Sequence, residues 1–200
     1  MSQRKFLTQQ EVGLVLDAVQ NSSSAERDYC LILLGFRHGM RISELLDLRL
    51  HDLDLLGGRI NIRRLKNGFS TIHPLMPDEI QAIETWLAVR QQQVNGVMSD
   101  FLLLSKRGTR LSRQHAYRLI RRYGELAGTG TAVHPHMLRH ACGYELAERG
   151  ADTRLIQDYL GHRNIRHTVR YTASNAGRFV GLWERDSLMP TKLGTGKNNP

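Results

Sequence analysis

Several short segments of this chain place residues able to work on a phosphate ester where structural elements end or turn. Arg41 follows Gly39-Met40, with Glu44 three residues on. His136 and Arg139 stand at i and i+3, so on a helix both face one target from one side. His162 follows Leu160-Gly161, and Tyr171 lies further on within Thr168-Val169-Arg170-Tyr171-Thr172. Lys66 sits beside Asn67-Gly68, a strong turn signal. Guanidinium groups match phosphate oxygens bidentately. Imidazole exchanges protons near neutral pH, and a phenol can act as a nucleophile that holds a covalent ester. Each residue also has an ordinary reading. Arg41 suits a helix C-terminus, where the dipole favours a cation. Lys66 suits a solvated turn, His162 a helix-end hydrogen bond, and Tyr171 half-buried packing. His136 and Arg139 could position a polyanion without reacting with it.

Other chemistries lack support. There is no Gly-rich phosphate loop or dinucleotide fingerprint, and no Gly-x-Ser-x-Gly nucleophile turn. His134, His136, His140 and Cys142 invite a zinc reading, and His136 and His140 share a face at i, i+4. Yet Arg139 lies between them, the region is cationic, and no CxxC or acidic ligand joins them. No metal and no cofactor is expected.

The elements that must hold these residues are mostly helical. Thr8 and Glu11 form a capping box before Val12, Leu14, Val15, Leu16 and Val19. Ser23 with Glu26 repeats it before the apolar run Tyr29 to Phe36, and Gly39 suits a left-handed residue after that helix. Ser43 is expected to cap a short turn carrying Leu45, Leu46 and Leu48. The period then changes. Leu53 and Leu55, the Gly57-Gly58 turn, Ile60, Ile62 and Arg64, then Phe69, Thr71 and Ile72 predict about three antiparallel strands. Pro77 opens a helix to about Gln92. Phe101 to Leu104 is a short apolar segment, and Ser112 caps a helix to Ala127, closed by Gly128. Pro135 starts another that ends near Gly150. Asp152 caps Thr153 to Leu160 before Gly161, and a last helix is expected around Ala173 to Trp183. The fold class is mostly α with a small antiparallel β-sheet. Residues 1–188 read as one domain and 189–200 as a disordered tail.

Charge narrows the partner. The chain has 200 residues, 28 Lys and Arg, 19 Asp and Glu, and a net charge of +9. Residues 1–100 hold 11 basic and 12 acidic side chains, residues 101–200 hold 17 and 7. Seven basic residues and no acid lie between Lys106 and Arg122. A polyanion is therefore the expected partner, nucleic acid ahead of a membrane, because no basic stretch is also strongly lipophilic. Arg113, Arg118, Arg121 and Arg122 in the basic helix are candidate DNA contacts, though a solvated face looks the same. Mean hydropathy is −0.39 and no apolar run reaches membrane-span length. The N-terminus lacks the apolar centre of a secretion signal, and Cys30 and Cys142 read as small buried residues rather than a disulfide framework. The expected location is the cytoplasm, at the nucleoid.

Gly39-Met-Arg-Ile-Ser-Glu-Leu-Leu46, His136-Met-Leu-Arg-His140, Leu160-Gly-His162 and the Tyr171 segment resemble, in order and spacing, the motifs of the tyrosine recombinase (phage integrase) family. The match spans about residues 30 to 185. Arg64-Leu-Lys-Asn-Gly-Phe-Ser-Thr71 and Asp158-Tyr-Leu-Gly-His-Arg-Asn-Ile-Arg-His-Thr168 are similar to the fimbrial phase-switch invertases within it. The resemblance implies a catalytic-domain-like fold and DNA strand exchange without metal or ATP. Tyr171 would attack the scissile phosphate, giving a 3′-phosphotyrosine and a free 5′-hydroxyl. Arg41 and Arg139 would clamp the non-bridging oxygens. His136 would act as general base or acid, and His162 would donate a hydrogen bond to the phosphate. Lys66 would protonate the 5′-oxygen, and Glu44 would orient Arg41. The resemblance also implies a tetramer on double-stranded DNA with inverted repeat sites.

Many family members carry a separate N-terminal DNA-gripping domain. With 40 residues ahead of Arg41 it is expected to be missing here, which suggests reliance on cooperativity or a DNA-bending accessory protein. An integrase, a resolvase or a type IB topoisomerase would share the chemistry. A DNA-binding transcriptional regulator would bind without forming a covalent adduct.

Overall fold

The computed structural model describes residues 6–64, 70–93 and 99–173. The elements in chain order are α1 (Gln9–Val19), α2 (Ala25–Arg37), α3 (Ile42–Leu46), a 3-10 turn at Leu50–Asp52, β1 (Leu53–Asp54), β2 (Arg59–Ile62) and β3 (Thr71–Pro74). They continue with α4 (Pro77–Gln93), α5 (Arg113–Leu126), α6 (Pro135–Glu148), α7 (Thr153–Leu160) and α8 (Arg166–Ala173). The fold is mostly helical with one three-stranded antiparallel sheet in the order β1-β2-β3.

Local chemistry explains most of these boundaries. The Thr8 hydroxyl accepts from the Glu11 N–H, and the Glu11 carboxylate accepts from the Thr8 N–H, closing the capping box of α1. Asp152 accepts from the N–H groups of Arg154 and Leu155 and so starts α7. Gly161 ends α7 at φ 65°, a left-handed conformation costly for any residue with a β-carbon. Pro135 occupies the first turn of α6, where its missing N–H removes no hydrogen bond.

Two expected caps shift by a short step. The residue at the start of α2 is Ser24, not Ser23, and its side chain makes no capping bond. The Ser23 hydroxyl accepts instead from the Lys106 ammonium. Arg41 rather than Ser43 precedes α3, because the Glu44 carboxylate reaches back to the Arg41 N–H at 2.9 Å.

The core gathers around α2. Cys30, Leu31, Ile32 and Leu34 are fully buried, packed among Val15 and Val19 of α1, Ile83 and Trp86 of α4, and Leu138 and Ala141 of α6. In β2 the side chains alternate, Ile60 and Ile62 inward, Arg59 and Asn61 outward. The alternation continues one step past the strand to Arg64, which is also buried. This inward arginine matters for the site. The Asn67-Gly68 turn, Lys66, the helix expected at Ala173 to Trp183 and the expected tail lie outside the described residues. Among the described residues no helix is long and apolar enough to cross a membrane.

Candidate active site

Four chain segments meet at one cleft. Its walls are Arg41 from the turn between α2 and α3, His136, Arg139 and His140 from α6, the Gly161-His162-Arg163-Asn164 turn after α7, and His167, Arg170 and Tyr171 from α8. The cleft holds about 360 Å³. Residues separated by up to 130 positions thus share one concave wall.

Arg139 bolts the segments together. Its guanidinium is 2% exposed; Nη1 donates to the Gly39 carbonyl and Nη2 to the Leu160 carbonyl at 2.7 Å. Those two carbonyls lie in the turn that carries Arg41 and at the end of α7, two residues before His162. The turn at Gly39 is tight as well as left-handed. Its φ is 54°, and a β-carbon there would run into Leu160 and Cys142.

Beneath Arg139 lies a buried carboxylate shared by cations. Glu44 Oε1 pairs with Arg41 Nη1 at 2.6 Å, and Glu44 Oε2 pairs with Arg64 Nη1 at 3.0 Å and lies 4.0 Å from Arg139 Nη1. Burial alone would raise the Glu44 carboxyl, but the Arg41 N–H and guanidinium, with the charge of Arg64, outweigh it and hold it below the usual range. Arg64 Nη2 also donates to the Tyr159 carbonyl at 2.6 Å. Arg41, unlike the others, keeps 31% of its side chain exposed, so its guanidinium can meet a ligand in the cleft while its carboxylate partner fixes its aim.

Tyr171 is 1% exposed and belongs to the core as much as to the cleft. Its ring meets Tyr144 edge-on at 5.1 Å and lies alongside His162 at 6.5 Å. The ring lies so near α6 that a β-carbon on Gly143 would stand 2.6 Å from it. Burial pushes the phenol pKa up, opposed by the charges of Arg139 and Arg170. The phenol oxygen lies 3.0 Å from His140 Nδ1. His162 Nδ1 is engaged by the Thr168 hydroxyl at 2.9 Å, so Nε2 is the nitrogen left to meet a phosphate.

The cleft is strongly cationic, and burial together with that charge lowers the pKa values of His136, His140 and His162. Burial, then the charges of Arg139 and Arg41, push His162 down to about 3. Burial, then His136, Arg170 and Arg139, push His140 down to about 4. His136 is lowered by burial and by Arg139. Arg139 itself is pushed down to about 10 by burial, with Arg41 and Arg64 adding to the effect. An anion seated here would relieve all of these repulsions together.

Arg41, Glu44, His136, Arg139, His162 and Tyr171 are therefore brought together, whereas Lys66 lies outside the described residues. Two neighbours go beyond the sequence reading. His140 touches the phenol; its one signal was the i, i+4 spacing from His136. Arg64 supports Glu44; its one signal was its inward phase after Ile60 and Ile62. The segment holding Tyr171 is also a helix, α8, where none was expected. Its β-branched Thr168, Val169 and Thr172 are weak helix formers, and it is held by burial of Thr168, Tyr171 and Thr172.

The basic-helix arginines lie elsewhere. Arg118 and Arg122 line a separate cleft of about 980 Å³ with Arg27, Lys106, Arg107 and Arg110. Arg121 pairs with Glu125 at 3.1 Å, and Arg113 is exposed in the first turn of α5. Among the described residues no group of three or more His, Cys, Asp or Glu could hold a metal ion.

Comparison with known proteins places the whole chain. The Phage integrase family matches residues 5–178. The type 1 fimbriae regulatory protein FimE of Escherichia coli K12 is 66% identical over 193 residues, covering 96% of this chain and 98% of FimE. FimB of the same strain is 54% identical over 182 residues, covering 91% and 90%. Among solved structures, XerA recombinase superposes with a TM-score of 0.76 at 29% identity, over 90% of this chain and 64% of XerA. XerH recombinase bound to its difH substrate before cleavage gives 0.72 at 26%, over 84% of this chain and 50% of XerH. The chain thus spans about two thirds of one of these recombinases and half of the other.

Proposed function

The chain belongs to the phage integrase family, the tyrosine recombinases, and from that premise we propose that it breaks and rejoins double-stranded DNA through a covalent bond to Tyr171. The observation that carries the reading is the convergence of Arg41, His136, Arg139, His162 and Tyr171 on one cationic cleft. A phosphodiester seated there puts its non-bridging oxygens between the Arg41 and Arg139 guanidiniums, where charge grows in the transition state. His162 Nε2 donates to the same phosphate once the imidazole faces an anion. The Tyr171 oxygen bonds to phosphorus, and the 5′-oxygen leaves with a proton from Lys66. The ester stores the bond energy, so the freed hydroxyl reverses the step without ATP or metal.

The finer reading follows the likeness to FimE and FimB. The chain inverts a promoter-bearing DNA segment and so switches fimbrial expression. It acts as a tetramer on inverted repeat sites, aided by DNA-bending proteins, in the cytoplasm at the nucleoid. Residues 1–188 form its one catalytic domain. Arg113, Arg118, Arg121 and Arg122 contact DNA outside the reaction centre.

The test is covalent trapping on a nicked duplex whose cleaved fragment diffuses away, followed by peptide mapping of the attached residue. The expected adduct maps to Tyr171, and Tyr171→Phe binds DNA but forms none. An adduct formed by the phenylalanine variant, or promoter binding by the parent chain with no adduct, overturns the proposal.

A further inference from the structure

We infer that His140 is a catalytic residue of this reaction, its Nδ1 taking the phenolic proton as the Tyr171 oxygen attacks phosphorus. The inference rests on the recombinase reading above and adds to it the identity of the base. His140 Nδ1 lies 3.0 Å from the Tyr171 oxygen, within direct proton-transfer reach. His136, to which the sequence points, meets the His140 ring edge-on at 4.6 Å.

The surroundings give this pair a substrate-dependent strength. His140 is faced by His134 just ahead of its helix, by His136 and Arg139 within it, and by Arg170 and Tyr171 of α8. Burial and the Arg170 and Arg139 guanidiniums keep the imidazole neutral, so its lone pair is available. They also make it a weak base, while burial makes the phenol a weak acid. In the free chain the proton stays on Tyr171. A phosphate held by Arg41 and Arg139 neutralises part of the charge that depresses His140. The imidazole becomes a stronger base when the target ester is in place and not before.

The step balances. The Tyr171 oxygen–phosphorus bond forms as the bond from phosphorus to the 5′-oxygen breaks, and that electron pair leaves on the 5′-oxygen. The phenolic proton moves to His140 Nδ1, and a proton from the Lys66 ammonium goes to the 5′-oxygen. Resealing returns both protons by the same paths.

The test uses the full chain and a nicked duplex selected for binding from a random pool. His140→Gln keeps a hydrogen-bonding side chain but takes no proton. Expected are near-parental DNA affinity and a single-turnover adduct rate lowered roughly 10²–10⁴-fold. A second duplex carries sulfur in place of the bridging 5′-oxygen, so that its leaving group needs no proton. The His140→Gln defect persists on it, whereas a defect in the acid disappears. Nitrogen NMR of the His140 ring in the unsubstituted protein provides a check that needs no variant: the base has its lone pair on Nδ1. Parental cleavage by His140→Gln, a defect erased by the sulfur substrate, or a proton on Nδ1 each overturns the assignment. Should the parent chain form no adduct at Tyr171, the recombinase reading itself falls, which separates the two failures.

Discussion

The side chain of Arg64 crosses directly over Gly161, its Cγ and Nε each 2.9 Å from where a β-carbon on that glycine would stand. The absence of a side chain on the turn bearing His162 is what lets the buried guanidinium reach Glu44 and the Tyr159 carbonyl.

Gly161→Ala therefore meets two obstacles. The left-handed φ of 65° costs about 1–2 kcal/mol by itself, and the new methyl must displace Arg64. Gly128→Ala is the control, since Gly128 has the same φ of 65° but nothing within 4 Å of its β-carbon position. Urea unfolding should show both variants destabilised, Gly161→Ala more, and only Gly161→Ala should lose adduct formation. Equal effects of the two would remove Arg64 from the explanation.

Glu44 holds its charge for the arginines around it. Glu44→Ala leaves the buried Arg64 guanidinium without its ion-pair partner, a change that costs roughly 3–5 kcal/mol. Glu44→Gln retains the shape and should cost less stability while still slowing adduct formation, because Arg41 loses the charge that aims it. Chemical denaturation and single-turnover trapping on the same preparations separate the two effects. A Glu44→Ala chain as stable as the parent contradicts the network.

Gly143→Ala tests the seat of Tyr171, the proposed nucleophile. A methyl 2.6 Å from the Tyr171 ring forces the ring or α6 to move. Overpacking of this kind costs about 1–3 kcal/mol, and a displaced phenol cleaves more slowly. Thermal unfolding and adduct yield should fall together; an unchanged adduct rate would show that the ring tolerates a different seat.

Acidity should favour DNA binding. The free chain holds His140 and His162 neutral down to about 4 and about 3, below the ordinary histidine value of about 6.5. A bound phosphate favours their protonated forms and raises both values, so the complex takes up protons that the free chain lacks. Affinity then rises as pH falls below the raised values in the complex. The fold responds with the opposite sign. Unfolded histidines bind protons below about 6.5 and these two do not, so stability declines as pH drops from there toward 4 and then 3. Titration calorimetry in buffers of different ionisation enthalpy reads the proton uptake on DNA binding directly; proton release would contradict the prediction.

Short-range chemistry was the legible part of this fold. Thr8, Ser112, Asp152 and Pro135 stand at helix starts where their own side chains or ring explain them. Gly39 and Gly161 mark left-handed turns. The four motifs were readable because each is contiguous, and the residues they carry line one cleft. What escaped depends on distant contacts. Nothing near Tyr171 in the chain announces a helix, because α8 is held by what Thr168, Tyr171 and Thr172 bury against. Nothing near Arg64 reveals that its partners are Glu44 and the Tyr159 carbonyl. His140 looked like a zinc candidate, and only the approach of α8 to α6 gives it a phenol instead.

The enclosure of Tyr171 by Tyr144, Gly143 and His162 has a bearing on genome integrity. A phosphotyrosine ester open to solvent could be lost to hydrolysis, leaving a permanent break in the chromosome. The walls that admit almost no solvent to the resting ring would also stand around the ester proposed to form there, and so would deny water the competition with the returning sugar hydroxyl.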